Sequence, residues 1–184
     1  MDKQFLYAGA LAVLVVAGAV LIGTGEEGDA GGMPETGETG GPPAWATVNL
    51  TDVRTGDTFT IASFDRPVLV ESFAVWCPTC TRQQKEIQNL HQQVGDDIIS
   101  VSVDTDPNED AAKVRAHIEQ HGFDWRYVVA PASFTQPFIE QFGRDVVNAP
   151  LAPVVVVCPD GTAEQLPNGV KPASTLQDAV EQRC

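Results

Sequence analysis

Apolar and polar positions along this chain fall into three regimes. From Phe5 to Gly23 the chain is apolar and carries no charge. At about 1.5 Å per residue this run approaches the ~30 Å of a hydrocarbon core. A cleaved leader is the alternative, but its apolar region is ordinarily only ~7–15 residues long. The pattern therefore predicts a retained transmembrane anchor over 5–23, behind a short N-terminus at 1–4. Residues 24–44 are rich in Gly, Glu and Thr and end in Pro42-Pro43. They have no apolar surface to offset the entropy of ordering, and they predict a disordered acidic linker.

From 45 to 184 short apolar runs alternate with amphipathic ones. Val48–Leu50 and Thr58–Ile61 flank the turn-rich Arg54-Thr55-Gly56-Asp57 and predict a β-hairpin. Pro67–Ala74 is nearly all apolar, as in a strand buried on both faces. Pro78–Val94 places Ile87, Leu90 and Val94 on one helical face, and Gly95 stops it. Ile98–Val103 predicts a second strand, Ala111–Gln120 a helix, Trp125–Val128 a short extended piece, and Ser133–Phe142 a helix that Pro137 shifts or kinks. Pro153–Cys158 predicts a third central strand, which Asp160-Gly161 turns into a partner at Thr162–Leu166. A last helix runs from Lys171 or Pro172 to Gln182. This order predicts an α/β domain, a sheet with helices on both sides.

Charge narrows the partners. Eleven Lys and Arg stand against 25 Asp and Glu, a net charge of −14, which disfavours nucleic acid and anionic lipid surfaces. So acidic a surface also fits a protein adapted to high salt, where repulsion is screened. Lys3 precedes the anchor, whereas Glu26, Glu27, Asp29, Glu35 and Glu38 follow it. The positive-inside tendency puts the N-terminus in the cytoplasm and the globular part outside.

The chemistry centres on Val75-Trp76-Cys77-Pro78-Thr79-Cys80-Thr81, between a strand and a helix. Zinc sites use the same cysteine spacing. The strand-to-helix frame favours disulfide exchange, because backbone N–H groups and the helix macrodipole stabilise a thiolate at a helix N-terminus. Glu71 breaks the buried pattern of its strand. It is either an edge-facing carboxylate or a buried acid.

With Val68–Ala74, Trp76-Cys77-Pro78-Thr79-Cys80, Ser102-Val103-Asp104 and Ala152-Pro153 before Val154–Val157, the chain resembles the thioredoxin superfamily. Within it the likeness is to membrane-anchored TlpA/ResA-like thiol–disulfide oxidoreductases. The resemblance covers about 45–184 and implies a thioredoxin-like fold with a central mixed sheet, elaborated between Asp104 and about Phe142. It implies Cys77 as nucleophile, Cys80 as resolving thiol, and Glu71 as a proton carrier for Cys80. It also implies Trp76 over the disulfide on a peptide-docking surface. Pro153 would match the family's cis-proline, with Pro150 the competing candidate, and the Ala152 backbone would pair with substrate.

The implied substrates are cysteines of exported proteins, such as apocytochrome c haem-binding sites, with electrons from a membrane donor. No cofactor beyond the Cys77–Cys80 pair and no metal is implied. The direction of electron flow depends on the reduction potential. SCO-like copper proteins share the fold, but they space their cysteines one residue further apart and use a distal His. His91, His117 and His121 read as solvated helix positions. Cys158 and Cys184 are left either as a structural disulfide or as two thiols. Asn49-Leu50-Thr51 is a glycosylation sequon.

Overall fold

The computed structural model describes residues 41–184. The expected anchor at 5–23 and most of the linker lie outside the described residues. No helix among the described residues is long and apolar enough to cross a membrane.

A five-stranded mixed sheet forms the centre, built from β3 (Val68–Phe73), β4 (Ile99–Asp104), β5 (Arg126–Val129), β6 (Val154–Val157) and β7 (Ala163–Gln165). The spatial order is β5-β4-β3-β6-β7. β3, β4 and β5 run parallel, whereas β6 and β7 are antiparallel to their neighbours. Every residue of β3, β4 and β6 is buried, as expected for strands covered on both faces. The expected hairpin is present as two short strands, β1 (Leu50–Thr51) and β2 (Thr58–Phe59).

Alternation of side chains across the strands separates two cores. Leu69, Phe73, Val154 and Val156 face α1 (Pro78–Val94), α2 (Ala111–His121) and α4 (Ala173–Arg183), whose Ile87, Leu90, Val114, Ile118, Leu176 and Val180 pack against them. Val68, Val70, Val155 and Val157 face the other way, onto Trp45, Phe134 and Phe138. The two phenylalanines belong to α3 (Ala132–Phe142), which tolerates Pro137 in its interior.

Trp45 sits in a 3-10 turn at Ala44–Thr47 and meets three rings of α3 edge-on. The packed domain begins slightly before residue 45. Gly161, at φ +90°, lets the backbone of Gly41 and Pro42 approach so closely that a Cβ there would lie 3.1 Å from the Pro42 Cα.

Local signals set the boundaries of the helices nearest the site. Cys77 caps α1, with Pro78 at the first helical position, where a missing N–H costs nothing. Asp110 Oδ1 accepts from the Ala112 and Lys113 N–H groups and caps α2, and left-handed Gly122 ends it.

Candidate active site

β3 delivers the chain to a tight loop, Ala74–Trp76, and α1 starts at its end. Cys77 and Cys80 form a disulfide with their Cα atoms 5.3 Å apart. Cys77 Sγ accepts the Cys80 backbone N–H at 3.2 Å, so the first sulfur is the side-chain cap of α1. An N–H pointing at that sulfur, together with the positive end of the helix, favours its thiolate. Both sulfurs are sheltered: Cys77 is 1% exposed and Cys80 is fully buried. Cys80 Sγ lies 3.1 Å from the Ala149 carbonyl oxygen, which would accept its proton contact in the dithiol state.

The loop between β4 and α2 fastens the strand-to-helix turn. Glu109 Oε2 accepts the Val75 N–H at 2.8 Å, and Asp106 Oδ2 accepts the Trp76 indole N–H at 2.6 Å. Trp76 is 59% exposed, a large apolar surface beside the nucleophile, with its indole tied to Asp106. That hydrogen bond holds the Asp106 carboxyl below the usual carboxylate range. Asp104, buried at the end of β4, is pushed up to about 7 by loss of solvent, with a contribution from neighbouring Glu109.

Glu71 is a buried acid, not an edge residue. It is 0% exposed, and loss of solvent raises its pKa from 4.5 to about 8, against lowering contributions from Ser102, Gln84 and Lys171. Alternation along β3 places it between Leu69 and Phe73, on the face that carries the disulfide. Ser102 Oγ donates to Glu71 Oε2 at 2.7 Å and accepts the Trp125 indole N–H at 2.9 Å. Glu71 Oε1 and Gln84 Nε2 are both buried without a fully formed partner. The Gln84 amide is nevertheless near enough to favour the carboxylate. Gln84 lies four residues after Cys80, one turn along the same face of α1, so the helix that carries the cysteines also supplies the amide beside Glu71.

Several expectations need correction. His117 is not solvated; it is 5% exposed, stacks on Phe73, and its Nε2 donates to Gln84 Oε1 at 2.7 Å. Spacing explains this, since Val114, His117 and Ile118 share the inward face of α2. Burial and the nearby His121 push the His117 pKa down to about 4. His91 stacks on Trp125 and contacts Ser100 Oγ at 2.9 Å.

Trp125 and Tyr127 pack in the core on the side of α1 and α2. Trp125 also donates to Ser102, which in turn donates to Glu71, a role that its position outside the cysteine motif concealed.

The expected cis-proline is absent: all peptide bonds among the described residues are trans. The chain instead reverses through Ala152, a non-glycine residue at φ 47° and ψ 55°. Pro153 is buried, and its carbonyl accepts the Ser72 N–H at 3.2 Å. The Ala152 backbone is already engaged internally. Its N–H donates to Ala149 and its carbonyl accepts from Lys171 Nζ at 2.5 Å.

Cys158 and Cys184 are joined, with Cα atoms 5.3 Å apart. The bond ties the end of β6 to the end of α4. Among the described residues no group of three His, Cys, Asp or Glu side chains is placed to hold a metal ion.

A disulfide at the end of a central strand, whose first sulfur caps the following helix, marks a thiol–disulfide oxidoreductase. The chain belongs to the Redoxin family, whose family pattern matches residues 38–178. No curated protein matches it in sequence.

Solved structures share the fold at low identity. One is a thiol:disulfide interchange protein of the thioredoxin family from Chlorobium tepidum, with a TM-score of 0.61 and 17% identity, covering 77% of this chain and 95% of that one. Another is a secreted Mycobacterium tuberculosis disulfide oxidoreductase homologous to Escherichia coli DsbE, with a TM-score of 0.59 and 14% identity over 75% and 97% of the two chains. A third is BsSco, of the Sco family of cytochrome c oxidase assembly proteins, with a TM-score of 0.57 and 17% identity over 73% and 89%. At these identities the likeness concerns the thioredoxin-like fold alone.

Proposed function

We propose that this protein is a membrane-anchored oxidoreductase whose domain faces the extracytoplasmic side and exchanges disulfides with exported proteins. Its substrates are their cysteine pairs, with apocytochrome c haem-binding sites as the leading example, and a membrane donor resupplies its electrons. The observation that carries the chemistry is the Cys77 sulfur at the N-terminus of α1, with Glu71 buried in the strand that leads to it. The uncharged run at 5–23 supports the anchor, and the acidic flank after it supports the orientation.

The Cys77 thiolate attacks a substrate disulfide, forming a Cys77–substrate bond and releasing the substrate's other sulfur as a thiolate. Glu71, in its carboxylate form, takes the proton of Cys80. The Cys80 thiolate then attacks Cys77 Sγ, so that the Cys77–Cys80 bond forms and the Cys77–substrate bond breaks. The substrate leaves with both electrons, and Glu71 holds the proton.

Replacing Cys80 with Ser removes the resolving step and should accumulate mixed disulfides through Cys77. Adducts trapped in cells and identified by mass spectrometry should be exported proteins carrying cysteine pairs. Adducts confined to cytoplasmic proteins, or none at all, would reject the reading. Stoichiometric, tightly held copper or zinc in the purified reduced protein would favour a metal-assembly role instead.

A further inference from the structure

Lys171 stands in the loop before α4, far in sequence from the cysteine motif, and is 6% exposed. Few lysines are so buried without a partner carboxylate in contact. Its Nζ donates instead to two carbonyls, Ala152 at 2.5 Å and Pro167 at 3.3 Å. Its backbone is fixed as firmly. The Lys171 N–H donates to Gln83 Oε1 at 2.7 Å, and Gln83 Nε2 donates to the Lys171 carbonyl at 3.1 Å. Gln83 lies three residues after Cys80, so the lysine is pinned to the redox helix itself.

The carbonyl that Lys171 holds belongs to the left-handed Ala152. Left-handed backbone is unfavourable for a residue with a Cβ, more so before proline, and persists only where its surroundings impose it. That residue closes the 3-10 turn Ala149–Leu151, whose first carbonyl touches Cys80 Sγ. On its other side Pro153 accepts from Ser72, and Val154 is the register partner of Glu71. The ammonium thus lies where the turn over the resolving sulfur meets the strand that carries the buried acid.

We propose that Lys171 is a positioning residue of the redox centre: it holds the Ala149–Pro153 turn on Cys80 and supplies the counter-charge that lets Glu71 ionise. This rests on the proton-carrier role given to Glu71 above. The electrostatics run the same way. Lys171 lowers the pKa of Glu71, while burial pushes Lys171 itself down to about 8 against an upward contribution from Glu71.

The other groups facing this pair are mostly neutral. Ser102 on β4, Gln84 on α1 and Tyr127 on β5 face Glu71. Tyr127 is held protonated well above its ordinary range by burial, with Glu71 adding to the effect. On α4, Asp178 and Arg183 line the same shallow pocket as Lys171.

Infrared titration of the full-length protein tests this directly. The Glu71 carboxyl band is identified by its loss in Glu71→Gln, and its midpoint is followed in three Lys171 variants. Lys171→Met removes donor and charge, Lys171→Gln keeps a donor without charge, and Lys171→Arg keeps both. The Glu71 midpoint should move to higher pH by at least half a unit in the Met and Gln variants and stay in place with Arg. The pH–rate profile of the resolving step should move with it. Midpoints unchanged in Met and Gln would overturn the role of Lys171 while leaving Glu71 as carrier. A wild-type Glu71 band that titrates in the ordinary carboxylate range would overturn both. If Lys171→Met does not fold, Lys171→Gln, which can still donate to Ala152, decides alone.

Discussion

Replacing Glu71 with Gln should remove a loss of stability that the wild type suffers as pH rises. In the fold Glu71 keeps its proton to about pH 8, whereas an unfolded chain releases it near 4.5. Between those values the folded state binds the extra proton, so stability falls as pH rises through the window and levels off above it. At about 1.4 kcal/mol per pH unit, the gap from 4.5 to about 8 amounts to at most about 5 kcal/mol.

Gln has the same shape, can accept from Ser102, and does not titrate. Its amide also meets the Gln84 oxygen if the Gln84 side chain turns over. The assay is urea unfolding of the oxidised wild type and variant from pH 4 to 9. A difference measurement is needed because His117 acts in the opposite sense. Its pKa is lowered from 6.5 to about 4, so that group contributes stability that is lost as pH falls through the same region. Subtraction of the two proteins removes it. The variant's advantage should grow by several kcal/mol between pH 4.5 and 8. A difference that stays flat across this window would mean that Glu71 ionises normally and carries no proton for Cys80.

Two further outcomes follow from the geometry. Replacing Cys158 and Cys184 together with Ser opens a loop with a sequence separation of 26 and should cost about 3 kcal/mol in urea unfolding; a loss under about 1 kcal/mol would show that the bond does not constrain the unfolded chain. Acidification below the ordinary carboxylate range should shift Trp76 fluorescence as Asp106 is protonated and its bond to the indole weakens. Asp106→Asn should abolish that transition, and an unchanged acid transition in the variant would remove Asp106 as its cause.

Much of the framework was legible in the chain because burial on two faces leaves a plain signature. Val68–Phe73 and Val154–Val157 read as central strands for that reason, and Gly95 marked the end of α1 by its own backbone chemistry, whereas the Asp110 cap of α2 emerged only from the structure. Cys77 was legible because strand, cysteine pair and helix are contiguous. What was not legible depends on tertiary return. Lys171 is adjacent to a helix start in sequence, and only the packing of its loop against α1 and β6 buries it. His117 carries a polar name on an apolar face, which becomes visible only when Gln84 is found opposite. Cys158 and Cys184 meet because α4 folds back beside β6, a closure that no spacing rule contains. The turn at Ala152 hid for another reason: a left-handed alanine has no residue-type signature, whereas a glycine there would have announced it.

The sheltering of Cys77 and Cys80 has a consequence for selectivity in time. A sulfur with almost no accessible surface collides rarely with small thiols or oxidants, however abundant they are. Exchange then requires the cover over Cys77 to open, so the frequency of opening, rather than the abundance of partners, limits attack.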